Sequence, residues 1–288
     1  MSNTEKYSKG SAIILAVSYL IVPGESLLFE WVIFGLVFLV IGLPHGALDH
    51  LIYVNKEKSK NKSGFFSTYL FVIFIYFILW ILFPVFSLII FLIISAYHFG
   101  QVHFIHSRLT KLSPLLFFSL GAFYLSVILW SDFAATTAIL AKIIEIEGIS
   151  RLGIYFISIF FTVSILQILV LNPARKFYLI MEMLVLGSLL YQLPLLLSFV
   201  LYFGFWHSFP SLEAEYKSLT EGLKNRKISW FIQKILPFSL ISIIGISVLL
   251  LISINWLSEK ENVLLFFIVV SLISAPHIYV MDGFLKSR

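Results

Sequence analysis

The stretch FEWVIFGLVFLVIGLPHGALDH, residues 29–50, decides the fold. Most of it is apolar with no polar–apolar alternation, so it reads as a helix rather than a strand, and it is long enough to cross a hydrocarbon core of about 30 Å. The run closes on two imidazoles and a carboxylate: His45, Asp49 and His50. Ionisable groups at the rim of an apolar segment are costly unless paired, hydrated or bound to a metal, and by default they mark a functional site. Three later segments end in the same way. They are Tyr97-His98-Phe99-Gly100-Gln101-Val102-His103, then Trp206-His207-Ser208, then Pro276-His277-Ile278-Tyr279 with Asp282 just beyond.

The whole chain matches that stretch. With 60% hydrophobic and 12% charged residues, 288 residues cannot clothe a water-soluble globule, and a polytopic membrane protein follows. Zero cysteines exclude disulfides, thiolate-held metals, iron–sulfur clusters and a cysteine nucleophile, which leaves nitrogen and oxygen ligands. The net charge of +5 does not point to nucleic acid, because cytoplasmic loops of membrane proteins carry excess Lys and Arg.

Ten hydrophobic segments are expected, at 10–23, 29–50, 65–83, 85–106, 114–130, 149–171, 175–192, 194–210, 231–254 and 262–283, forming one all-α transmembrane domain over residues 1–288. Pro84 and Pro194 open two of them and so predict tight helical hairpins. Ile21-Val22-Pro23-Gly24-Glu25 is a poor cleavage site, so the first segment reads as a retained span. Residues 131–148 read as a surface helix or re-entrant element, and Ser211 to Ser229 as an amphipathic cytoplasmic helix. This count places 17 of the 20 basic residues on one side, with only Lys142, Arg151 and Lys260 opposite. The asymmetry predicts ten spans in the inner membrane with both termini cytoplasmic. All seven histidines then lie at cytoplasmic ends of even-numbered spans.

Neutral imidazole is the commonest protein ligand for iron, zinc and copper, and ligands in a bundle come from facing helices. His45, His98, His207 and His277 form the primary metal set on that basis. His45 and Asp49, four apart, share a helix face, whereas His50 is turned about 100° further round. His50 and His103 are additional candidate cofactor-binding positions, and His106 sits near the headgroups. Asp49 and Asp282 are read as acceptors that fix an imidazole tautomer. Glu182 is expected to pair with Arg175 or Lys176, and Glu213 and Glu215 read as a solvated face. The 30 Phe, 13 Tyr and 6 Trp suit both lipid-facing packing and an apolar tunnel.

Pro-His-Gly-Ala-Leu-Asp-His at 44–50, Tyr-His-Phe-Gly at 97–100, Trp-His-Ser at 206–208 and Pro-His at 276–277 resemble the Brp/Blh family of integral-membrane β-carotene 15,15'-dioxygenases. The resemblance covers nearly the whole chain. It implies that non-haem Fe(II) held by histidines activates dioxygen to cleave the central double bond of β-carotene, giving two retinals that can pass to a rhodopsin. By position, His45, His98 and His207 match the family's iron ligands. The family's further histidine, four residues after the one in Trp-His-Ser, is Ser211 here, so either His277 or another group closes the shell or the activity is altered. Two other readings stay open: a di-iron hydroxylase or desaturase using His50, His103 and Asp49 as extra ligands, and a non-catalytic carotenoid-binding or transport protein.

Overall fold

A computed structural model describes residues 2–21, 27–57, 62–106, 113–221 and 228–286, and every long element among them is helical. In chain order the helices are α1 (Asn3–Ile21), α2 (Leu27–Val37), α3 (Leu43–Gly46), α4 (Asp49–Glu57), α5 (Lys62–Leu82), α6 (Pro84–Val102) and α7 (Ser113–Ser131). They continue with α8 (Phe133–Leu140), α9 (Gly153–Leu171), α10 (Lys176–Tyr191), α11 (Leu195–Leu201), α12 (Phe209–Thr220), α13 (Ile228–Ser253) and α14 (Glu259–Lys286). A wide π-turn, Phe38–Gly42, joins α2 to α3, and a second, Tyr202–Ser208, joins α11 to α12.

Among the described residues, eight helical runs are long and apolar enough to cross a membrane: Leu27–Tyr53, Ser63–Leu82, Pro84–Val102, Ser113–Ser131, Glu147–Leu171, Leu195–Thr220, Ile228–Ser253 and Glu259–Lys286. The chain is therefore an all-α, multi-pass membrane protein. The other two expected segments are also helical, but α10 has only 16 residues and α1 carries charged groups along its first turns. Both hairpin prolines act as expected. Phe83 alone separates α5 from Pro84, and Pro194 precedes the first turn of α11. Between α7 and α9 there is no span. Asp132 caps α8 by accepting from the Ala135 N–H (2.9 Å), and Thr136 is buried, so this short helix tucks into the bundle. Lys58, Lys60, Arg108, Lys111, Lys224, Arg226, Lys227 and Arg288, which contribute to the charge asymmetry, lie outside the described residues.

One expectation about helix ends needs correction. Two of the histidines do not terminate helices: α14 continues for more than two turns past His277, and α12 carries the chain three turns beyond His207. Of the amphipathic helix expected over Ser211 to Ser229, α12 supplies the part through Thr220, and residues 222–227 lie outside the described residues. Pro210, Ser211, Ala214, Glu215 and Thr220 are all buried, because the α12 face closes the bundle against α3 and α4.

Apolar packing forms two clusters with a polar layer between them. The larger surrounds Phe117, Tyr124, Leu190, Leu197 and Tyr202, while a smaller one gathers Leu48, Ile52, Val102, Phe231 and Met281 near the ends of the described chain. Both ends of the described chain lie at that second end: Ser2 Oγ donates to Glu213 (2.6 Å), and Lys286 donates to Asp282, which also accepts from Gln101 (2.7 and 2.9 Å).

Glycines set how closely the site-bearing helices approach. A Cβ on Gly100 would overlap the Phe117 carbonyl, and one on Gly121 would overlap the Ala96 carbonyl, so α6 and α7 meet backbone to backbone two residues past His98. The two π-turns interlock similarly: a Cβ on Gly42 would fall 2.6 Å from the Phe203 ring, and one on Gly204 would strike Val37. Gly100→Ala and Gly121→Ala should each lower the melting temperature of the detergent-solubilised protein, since overpacking a tight contact costs about 1–3 kcal/mol. Gly245→Ala is the control. Nothing lies within 4 Å of its Cβ position, and an unchanged or raised melting temperature is expected there.

Candidate metal centre

Four helices each bring one imidazole to the polar layer. His45 follows Pro44 in the short turn α3, directly after the first π-turn. His98 projects from α6, His207 lies inside the second π-turn, and His277 follows Pro276 in α14. Pi-turns add a residue to the helical turn and re-aim the side chains beyond it, which is why they recur at functional sites. Relative exposure is 2% for His45, His98 and His207 and 7% for His277, so all four are cut off from water.

Their nitrogens converge. One ring nitrogen each from His45, His98 and His207 lies within 4.8 Å of the others. His277 Nε2 stands 3.0 Å from His45 Nε2, and its ring centroid is 5.4 Å from that of His98. Both nitrogens of His98 and Nδ1 of His207 are buried with no hydrogen-bond partner. An orphaned buried polar atom costs about 1–3 kcal/mol, so this convergence is unfavourable unless something accepts the lone pairs. A nitrogen-only donor set fits iron, zinc or copper and disfavours magnesium and calcium, which take oxygen ligands. The residues present thus fit a transition-metal ion.

Two carboxylates stand behind the imidazoles. Asp49 Oδ1 lies 2.8 Å from His277 Nδ1, and Tyr69 donates its hydroxyl to Asp49 Oδ2 at 3.0 Å. Glu215 Oε1 lies 2.8 Å from His45 Nδ1; it is wholly buried, and its oxygens make no aligned hydrogen bond. A carboxylate at Nδ1 holds the proton on that atom and leaves the Nε2 lone pair pointing inward. The Nε2-to-Nε2 approach of His45 and His277 has that orientation. Among the described residues, the ion pairs found for Asp49 and Glu215 are with these two histidines, and no Lys or Arg partner balances the buried acids. A divalent cation between the rings would do so.

Other expected residues are placed elsewhere. His50 packs on Phe238 and Phe66, with ring centroids 4.4 and 5.9 Å away. His103 belongs to a separate network: its Nδ1 meets Glu182 Oε2 at 2.9 Å and its Nε2 meets the Tyr202 hydroxyl at 3.1 Å. Glu182 does not rely on Arg175 or Lys176. Its Oε1 accepts from Lys9, Tyr178 and the Trp206 indole, each at 2.9 Å. His106 pairs with Glu5 at 3.0 Å, and the metal-compatible group found among the described residues is His45, His98 and His207. Ser211 Oγ donates to the His207 carbonyl (2.9 Å) and is turned into its own helix. Asp282 accepts from Tyr97 and Gln101 rather than from an imidazole. Glu215 was taken for a solvated acid. Its spacing of eight residues from His207, about two helical turns, was the available signal that both share a face.

Aromatic rings enclose the centre. Phe99, Phe203 and His207 pack with centroids 4.7 to 6.2 Å apart, and Phe203 stacks on Phe38 and Phe199. They bound a cavity of about 70 Å³ into which all four histidines face.

The sequence model of a family described as Beta-carotene 15,15'-dioxygenase matches residues 36–285, a range that includes all four histidines and both carboxylates. No curated protein and no solved structure matches the chain. With the match spanning most of the molecule and a buried histidine cluster able to hold a metal within it, the chain belongs to the β-carotene 15,15'-dioxygenase family of metal-dependent, carotenoid-cleaving membrane oxygenases.

Proposed function

We propose that the metal is Fe(II), held by His45, His98, His207 and His277, and that the substrate is β-carotene drawn from the bilayer and split at its central double bond into two retinals. The observation that supports this most directly is the set of convergent, buried, unpartnered imidazole nitrogens in an otherwise aromatic enclosure. Bound iron supplies the redox reactivity that lets ground-state dioxygen attack an alkene. The bookkeeping is simple: the carbon–carbon double bond and dioxygen are consumed, and each carbon receives one oxygen atom. No proton is taken up or lost overall, so no general acid or base has to face the substrate. Asp49 and Glu215 accordingly stand behind the rings, where they orient His277 and His45.

His277 takes the ligand position that the resemblance assigns to a histidine at Ser211. Its Nε2 faces the other rings, whereas Ser211 Oγ is bonded to backbone. The aromatic walls exclude water and orient a flat polyene by ring contact. We place the chain in the inner membrane as one domain of ten spans, with both termini on the cytoplasmic side. The charge asymmetry supports this, as do the two chain ends lying at one end of the bundle.

Expression in β-carotene-accumulating cells should bleach them and yield retinal, with about one iron per purified chain. His45→Ala, His98→Ala, His207→Ala and His277→Ala should each reduce retinal to background and remove most of the iron. Full activity and iron in His277→Ala would remove that residue from the ligand set. Asp49→Asn is expected to weaken iron binding about 10- to 100-fold while the protein stays folded, the range seen when a ligand-orienting carboxylate is lost. His50→Ala should stay within about a factor of two of the unmutated activity. Reporter fusions at Ser2 and Lys286 should both report the cytoplasmic side; opposite sides would refute an even number of spans.

A further inference from the structure

A second cavity adjoins the histidines without belonging to their enclosure. It lies between α6, α7, α8, α11 and α14 and has a volume of about 110 Å³. Trp80, Leu125, Ile128, Thr136, Ile139 and Phe267 are among its walls, and none of its lining residues is exposed. No polar atom faces it. Thr136 Oγ1 is turned away to the Leu129 carbonyl (2.8 Å), and the Trp80 indole is turned away to Ser271 (2.8 Å). Phe91, Ser95, Phe99 and Phe199 line both this chamber and the histidine cavity, so the two adjoin at the level of His98.

A third cavity is larger and has exposed residues on its rim. It measures about 580 Å³, lies between α2, α13 and α14, and shares Phe38 and Ile246 with the histidine cavity. Leu39, Ser247 and Ile254 on its rim are exposed on the lipid-facing surface. Adjacent residues of two helices separate the pair: Leu195 and Phe267 face the closed chamber, while Leu196 and Phe266 face the open one.

Size decides what each can hold. A cavity of about 150 Å³ lined by Leu, Ile and Phe stays dry and takes benzene or xenon. At about 110 Å³ the closed chamber is of the same order and ample for a diatomic gas. With no polar atom to anchor water, it favours an apolar occupant. We propose that the closed chamber is a dioxygen-binding site that supplies the histidine cavity, while the polyene enters through the open one. This rests on the oxygenase reading above. It separates the two substrates of the reaction physically: the carotene can fill its own route without blocking the gas.

The test combines xenon, an apolar gas probe, with chamber-filling variants. Purified iron-loaded protein in detergent should show a saturable xenon-129 shift, and xenon should inhibit β-carotene cleavage competitively with dioxygen. Leu125→Phe and Ile139→Phe, at partly buried wall positions, should each raise the KM for dioxygen several-fold and weaken xenon binding, with iron content and the KM for β-carotene unchanged. An unchanged KM for dioxygen together with no xenon competition would overturn the proposal. So would a raised KM for β-carotene or a shifted cleavage position, because either would show the chamber holding polyene. If both variants lose iron through misfolding, xenon competition in the unmutated protein decides the question. Absence of any cleavage by that protein, with xenon still binding saturably, would refute the oxygenase reading and leave the gas site standing.

Discussion

Two buried carboxylates and four buried imidazoles share one layer of a membrane-embedded bundle with no Lys or Arg among the partners found for the acids. That is the constraint around which the rest is arranged. Uncompensated anions in a low-dielectric interior are severely unfavourable, and converging lone pairs make matters worse. One divalent cation would answer both problems, supplying positive charge beside Asp49 and Glu215 while accepting electrons from the rings. The apolar clusters above and below the layer keep water from competing for those positions.

Precision comes from the backbone. Each π-turn shifts the helical register just before or around a histidine, and Gly42 and Gly204 let the two turns seat against Phe203 and Val37. Gly100 and Gly121 hold α6 against α7 at van der Waals contact of main chains, which leaves His98 little freedom. A separate charged network then fixes the neighbouring Trp206 through Glu182 and Lys9. These groups face one another, apart from the layer that holds His45, His98, His207 and His277.

The fold was legible because hydrophobic run length and charge asymmetry are one-dimensional signals, and the primary histidines because they sit in apolar surroundings at four separated places. What escaped was relational. The immediate neighbours of Glu215 read as a solvated face, and only its two-turn spacing from His207 pointed inward; its burial follows from the α12 face packing on α3 and α4. The partners of Glu182 come from α1, α6 and the second π-turn, so nearby Arg175 and Lys176 were the obvious and wrong choice. His50 and His103 share motifs with true members of the cluster, yet helical geometry turns them to other faces. The π-turns themselves carry no compositional mark, so the continuation of the chain from α11 through His207 into α12 was not legible.

The sequence separations inside the site have a consequence for biosynthesis. His277 meets Asp49 across 228 residues, and Lys9 meets Glu182 across 173. During synthesis, Asp49 and Lys9 therefore enter the membrane long before their partners exist. The nascent bundle must shelter them at hydrated edges until α10 and then α14 arrive. The histidine layer cannot close before α14 has inserted, so its closure reports that this helix is in place.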